Sequence, residues 1–324
     1  MSKKVFITRQ IPEVAEKSLR KRGYLVDVFS ADRTMTQREL VKTLKRGQYD
    51  AVLSLLTDKI DAKVFDASPS VKIFANYATG FDNIDIAEAK KRGIVVTNAP
   101  ATATPEAVAE HTIAMLLALS TRIIEANDFV RAGKYDGWAP MRFVGTDFKD
   151  KTLGLVGTGR IGERVAQIAV AMGMKIAYTD IVQNERVDRE CAALYCPSLE
   201  ELLVQSDFVS LHVPLLDSTR HLIDEKRLRL MKSTAFLVNT ARGPVVDERA
   251  LEKALRDGVI AGAALDVFEF EPKVSRGLRS LRNVVLAPHI ASASVEARTE
   301  MAELAVQNII ELLEGGKPRN VVNP

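Results

Sequence analysis

"LGLVGTGRIGERVAQIAVAMGMKIAYTD", Leu153 to Asp180, is the stretch on which the reading of this chain turns. Leu153, Leu155 and Val156 form an apolar run broken only by Gly154, the pattern of a strand buried in a parallel sheet. Gly157, Gly159 and Gly162 then spell G-x-G-x-x-G. In that spacing the first glycine makes a tight turn, the second lets backbone approach a pyrophosphate, and the third lets helix and strand touch. From Ile161 the apolar residues Val165, Ile168, Ala169 and Met172 recur at helical spacing, so free N–H groups and the positive end of a helix dipole face the loop. "KIAYTD" reads as a second strand ending in Asp180, about 20 residues on, where a carboxylate accepts hydrogen bonds from the adenosine ribose. Together these predict a dinucleotide site made by Gly157, Thr158, Gly159, Arg160, Ile161, Gly162 and Asp180.

Asp180 also repels a 2′-phosphate, and Ile181, Val182 and Gln183 follow it, so the first cation able to favour NADP(H) is Arg186. NAD(H) is therefore the expected cofactor, with NADP(H) less favoured. Other classes are disfavoured by composition. The chain of 324 residues carries 45 Lys and Arg against 42 Asp and Glu, a formal net charge of +3, evenly scattered, which does not point to nucleic acid. "KSLRKRG" and "EKRLRLMK" read as solvated helix faces, and no apolar run reaches the roughly 18 residues of a membrane helix. "MSKKVFITRQ" enters a strand directly, without the apolar region of a signal peptide, so a cytoplasmic location is expected. Cys191 and Cys196 fit neither a disulfide framework nor a C-x-x-C pair and read as reduced thiols.

The nucleotide motif lies half-way along the chain, so the residues before it need their own account. The runs "KVFITR", "YLVDVF", "DAVLSLL", "VKIFANY" and "GIVVTN" alternate with helical patterns such as "TQRELVKTLKRG" and "NIDIAEAKKRG", which predicts a separate α/β unit with a parallel sheet. "PEAVAEHTIAMLLALSTRIIEANDFVRAG" reads as one long helix packed between domains, opened by Thr104 with Pro105 at its first position. "DFVSLHVP", "AFLVNTA", "GAALDVF" and "NVVLAPH" supply further strands, and "SVEARTEMAELAVQNIIELLEGG" a last helix, with no strand after it, expected to return to the first domain. The fold expected is α/β, with two doubly wound parallel-sheet domains. The larger is a Rossmann dinucleotide-binding domain over residues 100–289; the smaller is flavodoxin-like and discontinuous, residues 1–99 and 290–324, and binds substrate.

Three residues that follow predicted strands suit one reaction. Arg242, after "FLVNTA", offers a planar fork that can hold a carboxylate bidentately at any physiological pH. His289, after "NVVLAP", can exchange a proton with oxygen at a reacting carbon, and Glu271, after "GAALDVF", can orient the ring. With a nicotinamide hydride donor this is the equipment of a 2-oxo acid reductase. His111 in the long helix, His212 in a strand and His221 in a polar segment lack second ligands at metal-like spacing, so no metal site and only structural roles are expected.

The ordered set "VGTGRIG", "TARGPVVD", "ALDVFEFEP" and "LAPHIASAS" resembles the D-isomer-specific 2-hydroxyacid dehydrogenase family, and "NYATGFDNIDIAEAKKRGIVVTNAP" extends the resemblance into the first domain. "PRNVVNP", "LLTDKID" and "GWAP" are most similar to its glyoxylate and hydroxypyruvate reductase branch. The resemblance implies a homodimer that reduces small 2-oxo acids to D-2-hydroxy acids, with Arg242, Glu271 and His289 as substrate anchor, glutamate partner and acid/base. It implies that Asp266 lies by the nicotinamide carboxamide, that Val213, Pro214, Thr240 and Ala241, along with Arg242 and His289, border the cofactor, and that Leu56 and the Thr79 and Gly80 N–H groups serve the substrate. Trp138 would reach the pocket from the partner subunit. Thr79 departs from the small aliphatic residue common in that branch, and the lysine of a phosphite-oxidising relative is absent there. With Pro324 as the last residue read, the regulatory extension of many phosphoglycerate dehydrogenases is not expected. Two alternatives stand beside this reading: a dehydrogenase for another D-2-hydroxy acid (D-lactate, phosphoglycerate or bulkier acids), and an NAD(H)-sensing corepressor-like scaffold that binds peptides.

Overall fold

A computed structural model of the chain describes residues 2–324 and divides it into two units, Met1–Thr104 with Ala293–Pro324, and Pro105–Ser292. In the first unit β1 (Lys4–Ile7), β2 (Leu25–Val28), β3 (Ala51–Leu55), β4 (Ile73–Tyr77) and β5 (Val95–Thr97) form one parallel sheet in the order β2-β1-β3-β4-β5. Side chains alternate across it. Val5, Ile7, Leu53 and Ala75 face one core with Met301, Ala305 and Ile309, while Phe6, Val52 and Phe74 face the other with Leu40 and Val64. Each fully buried aliphatic side chain contributes roughly 1.5–3 kcal/mol. The last helix, Val295–Leu313, does return to this unit: Ser294 caps it by accepting from the Ala297 N–H, and its apolar face covers β4. Beyond that helix no strand follows among the described residues, and Val321 forms only a single antiparallel bridge with Thr97.

In the second unit β6 (Thr152–Val156), β7 (Lys175–Thr179), β8 (Leu194–Tyr195), β9 (Phe208–Leu211), β10 (Phe236–Asn239), β11 (Gly262–Leu265) and β12 (Val284–Leu286) form a seven-stranded parallel sheet, β12-β11-β10-β9-β6-β7-β8. Leu153, Leu155, Tyr178 and Val238 lie in the core on one face and Val156, Val209, Leu211 and Leu237 in the core on the other. Strand order reverses between β6 and β9 here and between β1 and β3 in the first unit. Ligands of doubly wound sheets bind at such switch points, beyond the carboxyl ends of the strands.

The single long helix expected from Pro105 onward is two: Thr104–Ser120 and Ile123–Arg131, bent by 63°. Thr121 turns its hydroxyl onto the Leu117 carbonyl at 2.6 Å, the Ser120 carbonyl accepts from the Thr146 N–H at 2.9 Å, and Arg122 takes φ 58°. The Thr104 hydroxyl, read as an opening cap, is buried without a hydrogen-bond partner among the described residues; Thr104 is itself the first helical residue. Among the described residues no single helix is long and apolar enough to cross a membrane, and no cluster of side chains has the make-up to hold a metal ion.

Candidate active site

Gly157 ends β6 with φ 93°, a conformation open to glycine, and a Cβ there would stand 2.9 Å from the His212 carbonyl oxygen of the neighbouring loop. Gly162, in the first turn of the helix Arg160–Ala171, abuts the Gly157 carbonyl so closely that no side chain fits. A Cβ on Gly159 would meet nothing within 4 Å, so the space above it is open to a ligand. That helix has no side-chain cap, which leaves its first N–H groups facing the open space. The loop thus has the form of a phosphate cradle, and its residues fit a dinucleotide.

Asp180 stands after β7. Its Oδ2 accepts from the Thr158 N–H at 2.6 Å and the Thr158 hydroxyl at 3.1 Å, and its Oδ1 from the Ile181 N–H at 2.7 Å. The carboxylate is thereby fixed at the end of the glycine loop. Arg186 is engaged elsewhere, with Glu163 at 2.9 Å and Glu190 at 3.1 Å. Val213 and Pro214 follow β9, and Thr240 and Ala241 follow β10, so they share the carboxyl edge with the glycine loop. The Thr240 hydroxyl meets that of Thr112 at 2.9 Å. His212 is half-buried beside the Ser210 hydroxyl at 2.9 Å, and the desolvation of its ring pulls its pKa down to about 4, so it stays neutral at physiological pH, in keeping with a structural role.

At the other side of the same edge β10, β11 and β12 present Arg242, Glu271 and His289. His289 Nδ1 lies 3.0 Å from Glu271 Oε2, and Glu271 Oε1 accepts from the Phe268 N–H at 3.0 Å. The carboxylate orients the ring and leaves Nε2 for an outside oxygen. His289 has φ 57°, a left-handed conformation that needs support from its surroundings. Asp266, 0% exposed, supplies it: its backbone carbonyl accepts from the His289 N–H, and its two carboxylate oxygens from the Ile290 and Ala291 N–H groups, all at 2.8 Å. His111 Nε2 stands 3.6 Å from the same carboxylate. The Arg242 turn is built by Asn239, which sequence reading passed over. This buried side chain accepts from the Ala241 N–H at 3.0 Å and donates to the Arg242 carbonyl at 2.9 Å.

Leu56, Thr79 and Gly80 belong to the first unit, Leu56 directly after β3 and the other two just beyond β4. Their loops are held by three asparagines that the sequence did not single out. Asn98 donates to the Thr79 carbonyl at 2.7 Å, Asn76 to the Gly80 carbonyl at 3.0 Å, and Asn83 to the Leu55 and Asp58 carbonyls at 3.1 and 2.9 Å. Asp58 accepts from the Leu55 N–H at 2.8 Å and the Thr8 hydroxyl at 2.5 Å; burial pushes its pKa up. Trp138 lies outside both cores, 85% exposed.

The family model for the NAD binding domain of D-isomer specific 2-hydroxyacid dehydrogenases matches residues 113–291. The chain belongs to this family. Its second unit is therefore an NAD-binding domain, in agreement with the cradle around Gly159. The chain is 48% identical to the glyoxylate reductase of Korarchaeum cryptofilum over 325 residues, covering 100% of this chain and 96% of that protein. Among solved structures, a glyoxylate reductase from Paecilomyes thermophila is 32% identical with TM-score 0.85, covering 99% of this chain and 98% of that one. An NADPH-dependent glyoxylate/hydroxypyruvate reductase from Sinorhizobium meliloti, determined with citrate, is 31% identical with TM-score 0.84, each chain covered to 99%. Both share with this 2-hydroxyacid dehydrogenase its pair of parallel-sheet domains.

Proposed function

We propose that this 2-hydroxyacid dehydrogenase reduces glyoxylate and hydroxypyruvate with NADH, and oxidises the corresponding D-2-hydroxy acids in reverse. The observation that carries the reading is the Glu271–His289 pair at 3.0 Å on the edge that also bears Arg242 and the nucleotide loop. Its near relative in Korarchaeum cryptofilum, a glyoxylate reductase, supports the substrate class. NADH supplies the hydride that adds to C2 of the oxo acid. His289 gives its Nε2 proton to the oxygen developing at C2, and Glu271 steadies the ring as charge leaves it. Arg242 grips the substrate carboxylate and polarises the adjacent carbonyl. In the first unit, the substrate unit of this reading, no other group of the described residues takes up the Thr79 or Gly80 N–H, and both serve a carboxylate, with Leu56 against the substrate. Val213, Pro214, Thr240 and Ala241 border the cofactor, and Asp266 the nicotinamide end. Chiral analysis of the product from hydroxypyruvate tests the reading: D-glycerate supports it, and L-glycerate or a racemate contradicts it.

Asp180 sets the cofactor preference. Replacing it with alanine should lower kcat/KM for NADH by about 10- to 100-fold, the loss of a hydrogen bond to a charged acceptor, and should raise kcat/KM for NADPH. Steady-state kinetics with both nucleotides check this. Mere damage to the Thr158 loop would lower both values together.

The chain assembles as a homodimer through the segment after Arg122. Ile123, Ile124, Val130, Tyr135, Trp138, Met141 and Val144 are all exposed there, an apolar concentration that marks an interaction surface. Trp138 on this surface reaches the partner subunit's pocket. The double substitution Ile123→Glu and Ile124→Glu should convert the protein from dimer to monomer by light scattering; an unchanged mass would place the interface elsewhere. A cytoplasmic setting suits the two buried thiols, Cys191 and Cys196, whose pKa values burial raises.

A further inference from the structure

A second histidine–carboxylate pair lies in the same unit, outside the constellation above. His221 Nε2 is 2.7 Å from Glu269 Oε1, and the Glu269 side chain is only 8% exposed, with Arg220 3.9 Å away. Glu269 is doubly tied to Glu248: the Glu248 N–H donates to Glu269 Oε2 at 3.2 Å, and the Glu269 N–H donates to Glu248 Oε2 at 2.9 Å. His221 is fixed through its backbone to the segment that follows Arg242. Its N–H donates to the Pro244 carbonyl at 2.8 Å, and two residues on, the Ile223 N–H donates to the Val245 carbonyl at 3.0 Å. Val245 in turn donates to the Arg242 carbonyl at 3.2 Å. Gly243 is pressed against the Phe268 and Glu269 backbone with no room for a Cβ, and Phe268 is the residue whose N–H holds Glu271.

Three stretches of chain are thus locked together: His221 to Ile223, Arg242 to Glu248, and Phe268 to Glu271. We propose that His221 and Glu269 form a positioning pair that fixes the Arg242 loop against the Glu271 loop, and so sets the aim of the guanidinium toward the substrate carboxylate. The pair links the first stretch to the third through side chains, whereas the first stretch meets the second through backbone. A nearly buried carboxylate that loses a hydrogen-bond partner must turn or rehydrate, which releases the Glu248 N–H and the loop behind it. Neither residue touches the reacting atoms.

The role of the pair in substrate binding rests on the oxo acid reading above, and the test separates the two. His221→Ala should raise the KM for glyoxylate by about tenfold, the effect of one hydrogen bond to a charged group, with a smaller change in kcat. His221→Gln, which places an N–H near the position of Nε2, should restore KM to within about twofold of wild type. The left-handed φ of 50° at His221 burdens the alanine and glutamine variants alike, as Ala192 and Gln48 of this chain both hold φ 46°, so the glutamine variant controls for it. In the protein without substrate, hydrogen exchange at the Val245 and Glu269 amides should quicken in the alanine variant and return to the wild-type rate in the glutamine variant. Wild-type KM and exchange in the alanine variant would overturn the proposal, as would equal impairment of both variants. If wild type reduces no oxo acid, the functional reading fails and exchange alone decides the pair: faster in the alanine variant supports it, and unchanged overturns it.

Discussion

Replacing His289 with alanine is expected to lower kcat for glyoxylate reduction by about 10²- to 10⁴-fold, the contribution of a positioned general acid. Affinity for NADH, followed by the change in its fluorescence on binding, should survive. The separation follows from the fold. Along the shared carboxyl edge, the glycine loop, Thr158 and Asp180 follow β6 and β7, whereas His289 follows β12, the outermost strand of the sheet. Its ring is held by Glu271, and its backbone by Asp266, which continues to accept from the Ile290 and Ala291 N–H groups whatever the side chain at 289. The left-handed φ of 57° costs alanine more than histidine, so a Tm shift of the variant measures that local strain separately from kcat. Turnover near the wild-type rate would remove His289 from the mechanism.

Arg242→Ala should act on the other kinetic parameter. A guanidinium that grips the substrate carboxylate in ground state and transition state alike contributes uniform binding, so its loss raises KM more than it lowers kcat. Loss of a hydrogen bond to a charged group, worth about 1.5–3 kcal/mol, corresponds to a KM rise of about 10- to 100-fold. Arg242→Lys should recover only part of this, because an ammonium is a point charge and cannot reproduce the two-pronged contact. An unchanged KM in the alanine variant would refute the anchoring role. The turn itself should persist in both variants, since Asn239 holds the backbone on either side through the Ala241 N–H and the Arg242 carbonyl.

Why the nucleotide half was legible in sequence is clear from its residues. Gly157, Gly159 and Gly162 each answer a local steric demand, and Asp180 closes the strand that follows, so spacing along the chain carries the information. Arg242, Glu271 and His289 were legible because successive parallel strands return chemistry to one edge, and each residue follows such a strand. The break between Ser120 and Ile123 was not legible. Leu116, Leu119 and Ile123 keep helical spacing across Ser120, Thr121 and Arg122, and the bend depends on a contact from Gly145 and Thr146, well beyond the helix. The supporting polar groups were hidden for the same reason. Asn76 and Asn83 hold loops after two different strands, and His221 and Glu269 are separated by 48 residues. An asparagine or a glutamate in such a place has no local spacing that distinguishes it from a solvated one; only the folded sheet brings its partners within reach.

The most direct test of the oxo acid reductase assignment is the fall in absorbance at 340 nm when the purified chain meets glyoxylate, run in parallel with NADH and NADPH. Rapid loss is expected with NADH and a much smaller rate with NADPH, as the Asp180 carboxylate at the end of the glycine loop requires. No loss with either nucleotide, for glyoxylate or for hydroxypyruvate, would contradict the assignment of an oxo acid to Arg242 and His289.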